Sequence, residues 1–326
     1  MGYTSASHTE YESRASIRGS SARAAFTHDY DIKAGAKKAE VHPSLNPKGA
    51  FRESRDSDAH PVTLPIAVFC DTTGSMGKAP KIIQKSLSKL MGTFVDDKLS
   101  GKKYLGEAFP AILIGAIDDF NAQRMYGGEG ALQVGQFESG LEIDDNLGNL
   151  WLTHNGGGTY EESYELALWF MAHRTAHDAM DKRGKKGYLF LIGDEHAYGR
   201  VEPEQIEKLI GVGMQTQDLS EVIAEAQKLY HVFFIIPKLS QHFEDASLAR
   251  YWGQLLGQQN LIKLEDPEKI CECIAGAVAL KEGFIGLDDL ERDGVDSKAL
   301  VHVGAGAVAK TEGKGALVKG GKTKRL

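Results

Sequence analysis

The chain has 326 residues, 42% of them apolar and 25% charged, with a formal net charge of −7. This is the balance of an ordinary globular protein. The modest acidity excludes nucleic-acid binding driven by overall charge, and the lack of any run of about 18 apolar residues excludes a membrane-spanning helix. Three cysteines, Cys70, Cys271 and Cys273, are too few for a disulfide scaffold. The polar start, Met1–His8, has no apolar signal-peptide core. A cytoplasmic, reducing setting is therefore expected. Cys70 reads as a small core residue. Cys271 and Cys273 sit two apart in an expected helix, where they face different ways and form no metal pair.

Residues 1–60 carry few large apolar groups and are punctuated by Pro43 and Pro47. An extended N-terminal arm is expected there, with local helix at most. Thr63–Cys70 is an apolar run with the length of a buried strand. Lys78–Val95 spaces Ile82, Ile83, Leu87, Leu90, Met91 and Phe94 for one helix face. Ala111–Ile117 is a second apolar strand and ends in Asp118 and Asp119; Leu132–Phe137 suits a short edge strand. A glycine loop, Asn155–Gly158, leads through Thr159 into a helix expected over Tyr160–Arg174, with Glu161 and Glu162 in its first turn as the helix dipole prefers. Lys186–Ile192 is a third apolar strand, followed by Gly193 and Asp194. Ser220–Tyr230 reads as an amphipathic helix capped by Ser220, and His231–Pro237 as a fourth buried strand. A helix around Ser247–Leu256, the short strand Asn260–Leu264 and a last helix from Asp266 to about Leu280 complete the domain, with Pro267 at the first helical position. From Gly283 the composition shifts, and Lys310–Leu326 holds six basic residues against one acid, Glu312. That end is expected to be a flexible basic tail.

Strands apolar on both faces, alternating with helices, specify a mostly parallel sheet covered on both sides. Ligands of such sheets sit beyond the carboxyl ends of the strands, where Asp71, Asp118 and Asp194 all fall. The densest cluster of oxygen donors is Asp71-Thr72-Thr73-Gly74-Ser75. Aspartate, threonine and serine oxygens converging at a strand end suit a hard divalent cation. The glycines before Thr159 are no phosphate cradle, since no Gly-Lys-Ser/Thr follows; they permit a tight turn.

Asp71-x-Thr73-x-Ser75, then Gly158-Thr159 before a helix, then Asp194 after a later strand, resemble the von Willebrand factor type A (vWA) domain and its metal-ion-dependent adhesion site (MIDAS). The resemblance covers about Leu64–Leu280. It implies a Rossmann-like three-layer α/β sandwich at residues 61–282, between an arm at 1–60 and a C-terminal extension at 283–326. It implies Mg²⁺, with Mn²⁺ or Ca²⁺ as substitutes. Thr73 and Ser75 would give hydroxyl oxygens directly, Thr159 would bind directly or through water, and Asp71 and Asp194 would hold metal-bound waters or bind directly. The first hydroxyl is Thr73 where the family usually has serine, which keeps the oxygen chemistry. Met76, Asp118, Glu195 and His196 are candidates for contact with a partner. Asp118 and Asp119 either back the metal ligands or cap a loop, and His154 and His196 either touch a ligand or are merely exposed.

Such a site implies a protein-binding module whose ion accepts an acidic side chain of the partner. The family further suggests an AAA+ ATPase of the MoxR class as that partner. No membrane is expected, and no nucleic acid except through the basic tail. Two alternatives stand beside it. One is an assembly protein of a phage or large complex that threads its terminal arms through neighbours. The other is a metal-dependent hydrolase, disfavoured because a haloacid-dehalogenase-type phosphatase needs a second acid where Thr73 stands. No Ser-His-Asp or Cys-His set can be assigned either, so no enzymatic activity is expected.

Overall fold

Thr63–Asp71 (β1) is buried at every position. Phe109–Ile117 (β2), Leu132–Val134 (β3), Gly187–Ile192 (β4), Tyr230–Pro237 (β5) and Leu261–Leu264 (β6) join it in one six-stranded sheet, ordered β6-β5-β4-β1-β2-β3. The computed structural model describes residues 8–95, 104–125, 130–153, 158–292, 295 and 297–304. All neighbours pair in parallel except β3, which is antiparallel to β2. The expected three-layer α/β architecture is thus present.

Alternation along β1 divides its side chains between two apolar layers. Leu64, Ile66, Val68 and Cys70 face one layer, which includes Ile83 and Leu87 of the helix Ala79–Leu87 (α1) and Ile274 and Val278 of the helix Ile270–Glu282 (α5). Ala67 and Phe69 face the other, with the helices Tyr164–His173 (α2), Leu219–Leu229 (α3) and Ala246–Leu256 (α4).

The chain builds β1, β2 and β3 outward on one side, then returns to the centre and builds β4, β5 and β6 on the other. The order therefore reverses between β1 and β4. In open α/β sheets the crevice outside the strand ends at that point is the ligand position. The register puts Asp71 opposite Ile117 and Cys70 opposite Ile192. Asp71, Asp118 and Asp194 consequently emerge at one edge, beside that crevice.

Several expected elements differ in detail. The helix expected over Lys78–Val95 is two, Ala79–Leu87 and Leu90–Val95. At the break Ser88 Oγ donates to the Lys85 carbonyl at 2.8 Å and Lys89 N to the Ser86 carbonyl at 2.9 Å. Such bonds compete with the regular helical ladder. The helix expected from Tyr160 starts at Tyr164, because Glu161–Glu162 instead pairs in parallel with His196–Ala197. Asp218, not Ser220, occupies the cap position of α3. The last helix opens with a 3-10 turn at Pro267–Lys269, with Asp266 accepting from Glu268 N.

The described part of the N-terminal segment is not extended. His8–Gly19 is helical, and its Tyr11 hydroxyl donates to the Ser139 carbonyl at 3.2 Å. Arg18, 3% exposed, pairs with Asp144 at 2.7 Å. Leu45 is fully buried, and Arg52–Ser54 pairs in parallel with Thr175–His177. After Gly283, left-handed at φ 77°, the helix Leu287–Arg292 and residues 297–304 return Leu290, Leu300 and Val303 to the core. The basic tail at 310–326 lies outside the described residues.

Candidate cation site at the sheet edge

Four of the five expected ligands form one hydrogen-bonded chain. Asp71 Oδ1 accepts from Thr73 N at 2.8 Å and from Thr73 Oγ1 at 2.6 Å, folding the loop after β1 back on its own carboxylate. Thr73 Oγ1 lies 3.2 Å from Ser75 Oγ, which donates to Asp194 Oδ1 at 2.8 Å. Asp194 Oδ2 accepts from His242 N at 3.2 Å. Asp71, Thr73 and Asp194 are fully buried, whereas Ser75 is part-exposed and Gly74 exposed, so solvent reaches the cluster from that side.

Tyr164, at the start of α2, joins the two acids from beneath. Its hydroxyl donates to Asp71 Oδ2 and accepts from Asp194 N at 3.2 Å. Gly193 makes room for it, since a Cβ there would stand 2.0 Å from the Tyr164 oxygen.

Thr159, the fifth expected ligand, is exposed, and its hydroxyl donates to the Glu161 carbonyl at 3.1 Å. Met76 is fully buried in the core. That corrects the expectation that it meets a partner: the 3-10 turn Gly74–Met76 points its apolar side chain inward. Asp118 is also fully buried, its Oδ1 accepting from Asp119 N at 2.6 Å, so it too is no surface contact. Asp119 caps the helix Phe120–Met125 through Asn121 N at 2.9 Å and Ala122 N at 3.2 Å, and it accepts from the Tyr198 hydroxyl at 3.0 Å. Glu195 is 6% exposed. His196 is half-buried against the Tyr251 ring, with centroids 4.2 Å apart. His154 and glycines 156 and 157 lie outside the described residues.

Three further residues join the site. Tyr164 lies in an expected helix and follows the glycine loop closely. His242 arrives from the loop after β5, where nothing local marks it. Glu162, expected in a helical turn, lies in the short strand instead and is a buried member of the acidic set, 2% exposed.

Burial raises the proton affinity of these carboxyl groups. Burial pushes Asp71 well above the ordinary carboxylate range, and the charge of Asp194 adds to it against the donors Thr73 and Tyr164. Burial raises Asp194 as well. Glu162 is raised first by burial, then by Asp71, Glu195, Asp119 and Asp118. Glu195 is raised by burial and by Asp194. Among the described residues no lysine or arginine pairs with Asp71, Glu162, Asp194 or Glu195.

Buried carboxylates without a lysine or arginine partner are costly, and a hard cation would neutralise them. The donor set fits one. Thr73 and Ser75 spend their protons on Asp71 and Asp194, leaving hydroxyl lone pairs for an ion. No group of three or more His, Cys, Asp or Glu with metal-holding geometry is present among the described residues.

No family model and no curated protein matches the chain. Solved structures that it resembles include proximal thread matrix protein 1 from the mussel byssus, at 9% identity and TM-score 0.42, covering 67% of this chain and 47% of that one. A form of that protein with a zinc-occupied MIDAS motif aligns at 10% identity and TM-score 0.37, over 72% of this chain and 46% of that one. The pilus adhesin SpaC from Lactobacillus rhamnosus GG aligns at 10% identity and TM-score 0.43, over 72% and 32%. The chain thus spans less than half the length of these structures.

Proposed function

We propose that the chain is a divalent-cation-dependent protein-binding module of the vWA kind. One observation carries this reading: Asp71, Thr73, Ser75 and Asp194, from two loops 119 residues apart, are hydrogen-bonded into one set at the crevice where the strand order reverses. Thr73 and Ser75 would hold Mg²⁺ through their hydroxyl oxygens, with Asp71 and Asp194 fixing those hydroxyls and neutralising charge. Bound there, the ion supplies a Lewis-acidic position open to a carboxylate of another protein. Mg²⁺ retains exchangeable waters because it dehydrates reluctantly, so such a position can be taken over.

Tyr164 and the main-chain N–H of His242 orient the two aspartates, and exposed Gly74 and part-exposed Ser75 form the approach. The rim is aromatic: Tyr160, 72% exposed, lies 5.5 Å from the His242 ring between centroids. A partner offering an acidic side chain next to an apolar one fits this rim. An AAA+ ATPase of the MoxR class is the partner to try first, on the strength of the family resemblance alone.

The test is capture from native lysate with Mg²⁺ or with chelator, using wild type and Asp71→Ala. Capture that needs both Mg²⁺ and Asp71, by a variant whose circular dichroism remains native, is expected. Equal capture by Asp71→Ala in chelator would end this reading.

A further inference from the structure

Glu162 is buried where a third loop, residues 158–163 before α2, reaches the acidic set. It is 2% exposed, and its Oε2 has no hydrogen-bond partner. The pairing of Glu161 with His196 and of Glu162 with Ala197 brings this segment alongside the loop that follows Asp194. Glu162 and Ser75 both act on the Glu195 carboxyl. Glu195 Oε2 likewise lacks a partner. Asp71, Asp118 and Asp119 are close enough to act on Glu162 by charge. Thr159, three residues earlier, is exposed and turned toward the Glu161 carbonyl.

An isolated buried carboxylate oxygen is costly, and two carboxyl groups side by side repel when both are ionised. A hard cation between Glu162 and the hydroxyls of Thr73 and Ser75 would satisfy both demands with the ligand type it prefers. Resting on the cation-site reading above, we propose that Glu162, and not Thr159, delivers the third loop's ligand oxygen to the bound divalent cation. The site then takes one anionic oxygen where a hydroxyl was expected. Glu162 belongs to the strand pair itself, whereas Thr159 precedes it.

Titration of the full chain with Mn²⁺, read by calorimetry, tests this with Glu162→Gln, Thr159→Ala and Asp71→Ala. Glu162→Gln should weaken Mn²⁺ binding by about tenfold or more, the scale at which support for a metal site is lost, while Thr159→Ala should leave it within about twofold. The reverse pattern, or an unchanged affinity in Glu162→Gln, overturns the inference. Its failure is separable from that of the cation site. If Asp71→Ala loses Mn²⁺ and Glu162→Gln does not, only the assignment of Glu162 falls. If Asp71→Ala binds Mn²⁺ as wild type does, the cation site falls with it. Metal-free melting supplies the fold control, because Glu162→Gln replaces a buried acid with a neutral amide of nearly the same shape. An unchanged or higher midpoint is expected, and a lower midpoint combined with unchanged Mn²⁺ affinity would make Glu162 structural and overturn the inference.

Discussion

A Cβ on Gly193 would stand 2.0 Å from the Tyr164 oxygen and 2.5 Å from its Cζ. The Tyr164 ring is fully buried between Phe234 and Trp252 and has nowhere to retreat. Gly193→Ala should therefore cost about 1–3 kcal/mol, the usual range for overpacking, and should displace the hydroxyl that joins Asp71 to Asp194. Tyr164→Phe separates the two effects. It keeps the ring but leaves the Asp194 N–H, buried, without its acceptor, a loss of about 1–3 kcal/mol. Urea midpoints of the metal-free proteins check both values. If Gly193→Ala melts like wild type, the close contact at this position is not what selects glycine.

His177 caps the helix Asp178–Arg183, its Nδ1 accepting from Met180 N at 3.1 Å. The side chain is 1% exposed, and burial, helped by the charges of Arg55 and Arg183, pushes its pKa down to about 4 against the weaker pull of the Leu229 backbone and Asp181. Protonation would destroy the acceptor that the cap requires. The sign follows directly. Between the unfolded value of about 6.5 and about 4 the unfolded chain binds the extra proton, so stability falls as pH drops through that window and is fully present above it. His177→Asn retains a capping acceptor and does not titrate. Its melting midpoint should fall less than that of wild type between those pH values. Parallel curves for the two proteins would show that His177 does not carry the effect.

The N-terminal segment is integral to the fold. Tyr11, Val41 and Leu45 belong to the larger apolar layer, and Arg18 and Asp144 meet at its margin. Removing residues 1–50 would uncover the partners of these three side chains, at about 1.5–3 kcal/mol each. Since net stability is only about 5–15 kcal/mol, the shortened chain should be partly unfolded at ambient temperature. Dye binding to exposed apolar surface and a lowered melting midpoint would register it, and a native melt in the truncated protein would contradict the packing described. An assembly role that threads this arm through neighbours has less to draw on, because its described part is spent on the chain's own core. No helix among the described residues is long and apolar enough to cross a membrane.

Apolar runs bounded by acids and glycines were enough to specify buried parallel strands and the edge to which Asp71, Asp118 and Asp194 belong, because strand burial and chain direction are written in local pattern. The chain Asp71–Thr73–Ser75 was legible for the same reason, its atoms being two residues apart. Asp194 could be assigned only through the family resemblance, and the sheet register then confirmed its edge. What the pattern could not carry was the path of the third loop. Glu161 and Glu162 suit the first turn of a helix equally well, and only pairing with His196–Ala197 turns Glu162 inward and leaves Thr159 outside. Tyr164 and His242 became part of the site in the same way, through packing between segments far apart in the chain. Local sequence thus chose the oxygens nearest the strand end, and tertiary contact chose the remaining members, because their positions depend on elements that no local spacing encodes.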